Sequence, residues 1–248
     1  MGGVLLEIVD LTAGYGPTRV IEHVSFSVPA GGKLAVLGRN GVGKTTLLAT
    51  IMGLTRQQSG KILLRGADIS HLNTSSRARL GIGYVPQMRD IFASLTVEEN
   101  LFVGLKGRPR DAIEEAYRLF PRLKERRLSG ASNLSGGEQQ MLSTARSILG
   151  NPDVLLMDEP LEGLAPIICD ELMAALELLA KEKAMTIVVI EQQIERMLDF
   201  TDEVLILERG QVVWHDTSDS LRQQGDVVEA YLGVRKLGEE EPAATAGS

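Results

Sequence analysis

The stretch most diagnostic of the fold is residues 33–52, with the sequence Lys33-Leu-Ala-Val-Leu-Gly38-Arg-Asn-Gly-Val-Gly43-Lys44-Thr45-Thr46-Leu-Leu-Ala-Thr-Ile-Met52. A short apolar run predicts a buried strand, a glycine-rich loop follows, and a helix begins near Thr45. The loop satisfies the pattern G-x-x-x-x-G-K-[ST], whose glycines let main-chain N–H groups wrap a polyphosphate. A glycine-rich turn that happens to contain a lysine is the alternative, but it does not explain the strand and helix on either side.

This loop supplies most of the predicted nucleotide-binding residues. The helix N-terminus adds partial positive charge, Lys44 can reach the β- and γ-phosphates, and the Thr45 hydroxyl can bind Mg²⁺. The candidate residues are Gly38, Arg39, Asn40, Gly41, Val42, Gly43, Lys44, Thr45 and Thr46.

A second motif, Val154-Leu-Leu-Met-Asp158-Glu159, places two carboxylates at the end of an apolar strand. Ligands of open α/β sheets bind at the carboxyl ends of strands. Asp158 suits a Mg²⁺-linked role, and Glu159 suits a general base that polarises an attacking water. A plain strand ending in an acidic turn remains the alternative for this motif on its own.

A third motif, Leu134-Ser135-Gly136-Gly137-Glu138-Gln-Gln140, precedes an amphipathic helix. Ser135 and Glu138 have the spacing of a capping box, which is the purely structural interpretation. Two glycines in the first turn nevertheless cost helix stability, and a helix start without side chains is a good surface for a phosphate.

Composition limits the possible classes of protein. The chain has 248 residues, 44% of them apolar and 24% charged, which is typical of a globular protein. No window approaches about 18 consecutive apolar residues, and no signal peptide is expected at the N-terminus. A net charge of −7 argues against a broad nucleic-acid-binding face, and the single cysteine, Cys169, fits a reducing compartment.

The order of patterns predicts one domain over residues 1–237. Short β segments open the chain, an α/β core follows, a mostly helical stretch over about residues 88–150 interrupts it, and the core then resumes. Within the resumed core we expect a helix over 171–183, a hairpin at Arg209-Gly210 and a terminal helix over 219–232. Residues 238–248 are predicted to be a disordered tail because they offer little to bury.

Together the three motifs resemble the ATP-binding-cassette ATPases, and the resemblance covers about residues 4–235. It implies an α/β fold: a P-loop NTPase core with an N-terminal antiparallel β subdomain and an inserted helical subdomain. It also implies ATP hydrolysis, with ATP and Mg²⁺ as the bound groups.

Further roles follow from the resemblance alone. Tyr15 would stack on adenine, and Gln87, in Gly83-Tyr-Val-Pro-Gln87, would bind Mg²⁺ or water and sense a membrane partner. Ser135, Gly136 and Gly137 would face the γ-phosphate held by a second cassette, so dimerisation would be part of the mechanism.

Two positions depart from the family pattern. Gln192 stands where these ATPases usually have a histidine that contacts the γ-phosphate; glutamine can donate a hydrogen bond but cannot carry a proton or a positive charge. Leu161-Glu-Gly-Leu-Ala-Pro166 replaces the more usual Ser-Ala-Leu-Asp. The expected catalytic set is therefore Glu159, Gln87 and Gln192, with Thr45, Gln87 and Asp158 at the metal.

At these positions, and in Ile91-Phe-Ala-Ser-Leu-Thr-Val-Glu-Glu-Asn-Leu101, the sequence resembles the ATPase subunits of branched-chain amino-acid importers. The implied partners are a second cassette (a paralogue or a second copy), membrane permeases docked on residues 88–130 and, indirectly, a solute-binding protein, but no nucleic acid. The implied location is the cytoplasmic face of the inner membrane, as a peripheral subunit. Two alternatives stay open: a weakly hydrolysing partner in a heterodimeric cassette pair, and a soluble cassette ATPase outside transport.

Overall fold

The structure, a computed structural model, describes residues 3–233. The strands of this part of the chain are β1 (Val4–Tyr15), β2 (Thr18–Pro29), β3 (Lys33–Leu37), β4 (Arg56–Leu64), β5 (Ala67–Asp68), β6 (Ile82–Val85), β7 (Val154–Asp158), β8 (Thr186–Ile190), β9 (Glu203–Glu208) and β10 (Gln211–Thr217).

Helices occupy most of the segments between these strands. They are α1 (Lys44–Met52), α2 (Thr74–Arg79), α3 (Val97–Gly104), α4 (Glu114–Leu119), α5 (Pro121–Glu125), α6 (Gly136–Leu149), α7 (Pro166–Lys183), α8 (Ile194–Phe200), α9 (Ser218–Arg222) and α10 (Gly225–Val227). Between β6 and β7 the described chain is helical or irregular, with α3 to α6 and two short 3₁₀ turns.

The strands form two sheets. An antiparallel sheet has the order β2-β1-β4-β5, and a larger sheet has the order β10-β9-β3-β8-β7-β6. Within the larger sheet β9, β3, β8, β7 and β6 are parallel, whereas β10 pairs antiparallel with β9. The predicted α/β fold with an antiparallel N-terminal β subdomain is confirmed, while the predicted domain limits of 1–237 and 88–150 stay predictions.

The larger sheet separates two apolar cores, because neighbouring residues of a strand point to opposite faces. Leu156 of β7 and Val36 of β3 pack with α1 and the antiparallel sheet. Leu155 and Ala35, one residue earlier in each strand, pack with the helices on the other face. Burial on both faces explains why these parallel strands are continuous apolar runs rather than alternating ones.

Parallel pairing brings the chemically active segments to one edge. Asp158 of β7 pairs with Ile190 of β8, so the residues that follow them, Glu159 and Glu191, lie side by side. Strand β3 runs parallel to β8 and delivers the glycine-rich loop to the same edge. All of the strand ends that carry the predicted site therefore meet at the carboxyl edge of the sheet.

Several predicted elements differ in extent. The helix predicted over 171–183 begins five residues earlier, at Pro166, because proline is well suited to the first turn of a helix. The helix predicted over 219–232 is wrong as a single element: it breaks into α9, α10 and a π-helical turn over Val228–Leu232. The predicted hairpin is present, with positive φ at Arg209 and Gly210. The tail predicted over 238–248 lies outside the described residues.

Candidate active site

The glycine-rich loop between β3 and α1 has a backbone that side chains would disturb. Gly38, Gly41 and Gly43 have φ of 144°, 80° and 109°, in the region that favours glycine. A Cβ at Gly38 would lie 2.3 Å from the carbonyl oxygen of Leu207. These residues therefore keep the loop close to the sheet and leave its main-chain N–H groups accessible.

Lys44, the first residue of α1, is folded back onto this loop. Its Nζ donates to the carbonyl oxygens of Gly38, at 2.7 Å, and Arg39, at 3.0 Å. Burial lowers the pKa of Lys44, and Glu159 and Asp158 partly oppose the shift. The ammonium group is thus held at the centre of the loop, where it can exchange main-chain oxygens for phosphate oxygens.

Asp158, at the end of β7, is 1% exposed. Its Oδ1 accepts a hydrogen bond of 3.2 Å from the Thr45 hydroxyl, whereas its buried Oδ2 has no hydrogen-bond partner in the described part of the chain. Burial raises the pKa of Asp158 to about 6 and Glu159 raises it further, while the hydroxyl groups of Thr45 and Tyr84 and the Lys44 ammonium lower it. The site thus offers one unpartnered carboxylate oxygen beside a hydroxyl group.

Glu159, the next residue, accepts hydrogen bonds from two side-chain amides. Its Oε2 accepts hydrogen bonds from Nε2 of Gln192, at 2.9 Å, and Nε2 of Gln87, at 3.2 Å. Its own N–H donates to the carbonyl of Ile190, and its φ of 47° turns the chain away from the strand. The three predicted catalytic residues are therefore in direct contact.

A cavity of about 260 Å³ opens between these groups. Its walls combine the glycine-rich loop with the three residues just described and two that were not predicted. The lining residues are Val20, Asn40, Gly41, Gly43, Lys44, Thr45, Thr46, Gln87, Glu159, Glu162 and Gln192. Glu162 enters the site because its Oε2 accepts a 2.8 Å hydrogen bond from Nε2 of Gln87.

Glu191 is a third residue that sequence reasoning missed. It is 2% exposed, and its carboxylate accepts the N–H of Leu161 at 2.7 Å and the N–H of Gln192 at 2.8 Å. Burial raises the pKa of Glu191, whereas these main-chain N–H groups lower it. The only sequence signal was a carboxylate placed directly after an apolar strand.

Tyr15 lies outside this cavity. It ends β1 opposite Thr18, and 56% of the residue is exposed. Two residues farther along β2, Val20 lines the cavity. The hairpin that carries Tyr15 therefore borders the site, while the ring itself faces outward.

The segment Ser135-Gly136-Gly137 also lies outside the cavity, at the start of α6. Ser135 and Glu138 form the capping box, each side chain bonding to the other's N–H. A Cβ on Gly136 would lie 2.6 Å from the Arg89 guanidinium, and one on Gly137 would lie 2.8 Å from Ile168. Gly136 and Gly137 are thus closely packed against Arg89 and Ile168, and no side chain of their own covers the N–H groups of this first turn.

The residues around Asp158 fit a Mg²⁺ ion that arrives with a nucleotide. Among residues 3–233, no group of three or more His, Cys, Asp and Glu side chains is arranged to hold a metal by itself. Mg²⁺ usually binds through one or two protein oxygens, phosphates and water. The unpartnered Oδ2 of Asp158 and the hydroxyl oxygen of Thr45 are metal ligands of that kind.

A larger cavity, of about 800 Å³, lies away from the glycine-rich loop. It is a groove between α2 and β6 on one side and α3 and α6 on the other, and Pro86, Met88 and Phe92 line it. Met88 is 85% exposed and Phe92 46%, and the Arg146 guanidinium covers the Phe92 ring at 4.7 Å. The segment that follows β6 therefore reaches two regions. Gln87 contacts Glu159, and the residues beside Gln87 line the groove.

Comparison with known protein families gives one clear match. A family profile described as ABC transporter matches residues 21–162. That range includes the glycine-rich loop, Gln87, the start of α6 and the Asp158-Glu159 pair. Within residues 3–233, no helix is long and apolar enough to cross a membrane.

Individual relatives match almost the whole chain. The high-affinity branched-chain amino acid transport ATP-binding protein BraG of Pseudomonas aeruginosa is 38% identical, over 92% of this chain and 100% of BraG. The probable branched-chain amino acid transport ATP-binding protein LivF of Archaeoglobus fulgidus is 34% identical, over 93% and 99%. The lipopolysaccharide export system ATP-binding protein LptB of Escherichia coli K12 is 32% identical, over 90% and 95%.

Solved structures agree on the fold. A nucleotide-free ATP-binding cassette from an ABC transporter superposes with a TM-score of 0.81 at 23% identity, over 95% of this chain and 100% of that one. An ATP-binding subunit of an ABC transporter gives a TM-score of 0.79 at 29% identity, over 92% and 96%.

Proposed function

Because the chain belongs to the ABC transporter ATPase family, we propose that it powers an importer of branched-chain or related amino acids. It is an ATPase subunit of a transporter. The observation that carries the assignment to amino-acid import is the similarity to BraG and LivF across nearly the full length of each protein.

ATP binds, in this proposal, along the glycine-rich loop from Gly38 to Thr46. The Lys44 ammonium would exchange its bonds to the Gly38 and Arg39 carbonyls for phosphate oxygens. The N-terminus of α1 and the loop N–H groups would add further positive potential. Tyr15, at the rim of the site, would stack on the adenine.

A Mg²⁺ ion bound with ATP would be held by Thr45, Asp158 and Gln87, and it would neutralise charge on the phosphate oxygens. Support comes from the unpartnered Oδ2 of Asp158 and the Thr45 hydroxyl at its Oδ1. The Gln87 amide already lies within hydrogen-bond distance of Glu159. A small movement of the Gln87 side chain would therefore let it either bind Mg²⁺ or remain hydrogen-bonded to Glu159.

Hydrolysis requires a base beside the γ-phosphate, and Glu159 is the proposed base. Both glutamine amides donate to Oε2, which orients the carboxylate. The attacking water would give a proton to this carboxylate as its oxygen bonds to phosphorus, and the bond to the β–γ bridging oxygen would break to release ADP. Gln192 would also donate to a γ-phosphate oxygen, as an amide that carries no charge.

A second cassette completes the site in this proposal. Ser135, Gly136 and Gly137 lie outside the chain's own cavity, at the start of a helix of 14 residues. Their first-turn N–H groups suit the γ-phosphate of ATP bound to a facing subunit. That subunit would be either a paralogue or a second copy of this chain.

Membrane permeases are the remaining proposed partners, and the 800 Å³ groove is the proposed docking surface. It carries exposed apolar side chains, Met88 and Phe92, within the predicted docking stretch of 88–130. Because Gln87 is bonded to Glu159, a partner that moves residues 86–92 would also move the base. The chain would then act at the cytoplasmic face of the membrane as a peripheral subunit.

A second candidate, lipopolysaccharide export, is favoured by the similarity to LptB at 32% identity. The test is to co-purify the full-length chain with its permeases and to measure ATP hydrolysis with different solutes. Stimulation by a leucine-loaded binding protein supports amino-acid import, whereas stimulation by lipopolysaccharide alone would replace it with the second candidate. A chain that turns over ATP identically with no membrane partner would favour a cassette ATPase outside transport.

The weakly hydrolysing alternative has its own test. An assembly that contains Glu159→Gln only in this chain should lose turnover if the chain hydrolyses ATP. Unchanged turnover would mean that the partner cassette does the chemistry.

A further inference from the structure

The carboxylate of Glu191 joins two segments of the active site that are distant in sequence. Its Oε1 accepts the N–H of Leu161, which opens the loop after β7, and its Oε2 accepts the N–H of Gln192. Both hydrogen bonds are shorter than 3.0 Å, and the residue is 2% exposed. One buried side chain thus fixes the main chain of two segments next to Glu159, at Leu161 and at Gln192.

The contacts continue from Glu191 to the reacting groups. Gln192 donates through its side chain to Glu159, and Glu162, next to Leu161, accepts from the same Gln87 amide that also reaches Glu159. The loop after β7, Gln192 and the proposed base therefore form one hydrogen-bonded network whose shared anchor is Glu191.

A buried carboxylate at this position has an energetic cost. It lies near Glu159, which repels it, and desolvation disfavours its charge. Charge-assisted hydrogen bonds to main-chain N–H groups offset such a cost only while their geometry is kept. The two segments are thus held in a fixed relation, because movement of either leaves a charge buried without its donor.

We propose that Glu191 is a positioning residue for ATP hydrolysis, which holds the Gln192 amide against Glu159 and ties it to the loop of residues 161–165. This inference rests on the proposed role of Glu159 as the base. It adds a residue that acts through Gln192, because the carboxylate of Glu191 is bonded to main-chain N–H groups. It also links the base to the loop that departs from the family pattern.

Glu191→Gln tests the inference with little change in volume. The carboxamide has one acceptor oxygen, so it can satisfy only one of the two N–H groups and turns an NH₂ group toward the other. We expect kcat for ATP to fall about tenfold and KM to change less than about twofold, because nucleotide contacts stay intact. Glu191→Asp keeps the carboxylate on a shorter side chain and should lose less activity.

A double-mutant cycle separates positioning from a general loss of structure. In a Gln192→Ala background, Glu191→Gln should lower kcat by less than about twofold, because the group through which it acts is gone. Thermal unfolding of each variant confirms that it is folded. Glu203→Gln is the matched control, since it removes a carboxylate from the same sheet that pairs on the surface with His215, and it should leave kcat unchanged.

Other outcomes overturn specific parts of the account. A folded Glu191→Gln protein with wild-type kcat, a Glu191→Asp protein that loses more activity than Glu191→Gln, or effects that multiply in the cycle would refute the positioning role. Glu159→Gln, measured alongside, tests the underlying assignment: if it keeps full activity, the proposed base is wrong. Loss of activity in Glu159→Gln but not in Glu191→Gln would refute only the positioning role.

Discussion

The side-chain amide of Gln192 donates a hydrogen bond of 2.9 Å to Oε2 of Glu159. The two residues are 33 positions apart in the chain, at the ends of the adjacent parallel strands β8 and β7. The contact shows what a glutamine can do at this step, because its amide lies within hydrogen-bond distance of the carboxylate. In the proposed mechanism it would orient the base, Glu159, through an uncharged donor.

The first prediction concerns that donor. Gln192→Ala should lower kcat for ATP about tenfold, because one of two amides that orient Glu159 is lost. Gln192→His restores a donor and adds a group that titrates near neutral pH. Its kcat should recover and gain a pH-dependent step that wild type lacks. Equal kcat in wild type and Gln192→Ala would contradict the role assigned to the contact.

The second prediction concerns the base. Glu159→Gln should reduce ATP hydrolysis by a factor of about 10² or more, since an amide cannot take the water proton. ATP binding should persist because Lys44 and the glycine-rich loop are untouched. Equilibrium binding of a fluorescent ATP analogue and phosphate release check the two parts. Glu177→Gln, which only breaks a surface pair with Lys33, serves as the control and should stay active.

The third prediction uses the pKa of Asp158, which burial raises from its ordinary value of 3.8 to about 6. The ionised carboxylate therefore costs folding free energy above about pH 6, and the cost is relieved as pH falls through 6 toward 4. Asp158→Asn removes it. The nucleotide-free variant should be more stable than wild type, by on the order of 1 kcal/mol more at pH 8 than at pH 5.

Urea unfolding of both proteins at the two pH values provides the measurement. Asp219→Asn, at an exposed position in α9, controls for the general effect of removing a negative charge. A stability gain that is the same at both pH values would mean that Asp158 is not a strained buried charge.

The fourth prediction concerns the far end of α1. Arg77 is 2% exposed, and its guanidinium donates to four main-chain carbonyls, those of Thr50, Ile51, Ser70 and Leu72. Arg77→Met should lower the free energy of unfolding by about 3 kcal/mol, because it removes the side-chain donor from all four carbonyls, of which that of Thr50 keeps the N–H of Gly53. Arg79→Met, which loses only a surface bond to Ser76, should change it by less than about 0.5 kcal/mol. Similar losses in the two variants would show that the carbonyls find other donors.

The sequence was most informative where a motif and its chemistry are local. The glycine-rich loop and the Asp158-Glu159 pair could be predicted because a strand, a turn and a helix start lie within a few residues of one another. The approach of Gln87, Glu159 and Gln192 required the family resemblance, since their proximity depends on the strand order of the sheet. Their roles stay predictions until the variants above are measured.

Other features could not be predicted because they depend on packing. Glu191 has no local signature: its two partners are N–H groups, which every non-proline residue has. The break between α9 and the π-helical turn at 228–232 was missed because 219–232 was predicted as one helix although Gly225, a poor helix former, lies within it. The early start of α7 at Pro166 was missed because the core-facing pattern becomes clear only from Leu172 onward.

The most direct measurement is transport by the assembled complex. The chain and the permeases that purify with it are placed in liposomes with ATP inside and a leucine-loaded binding protein outside, and ATP hydrolysis and leucine uptake are followed together. The account predicts that leucine accelerates hydrolysis and accumulates inside, and that Glu159→Gln in this chain abolishes both. Hydrolysis that ignores leucine, or uptake that survives Glu159→Gln, would contradict it.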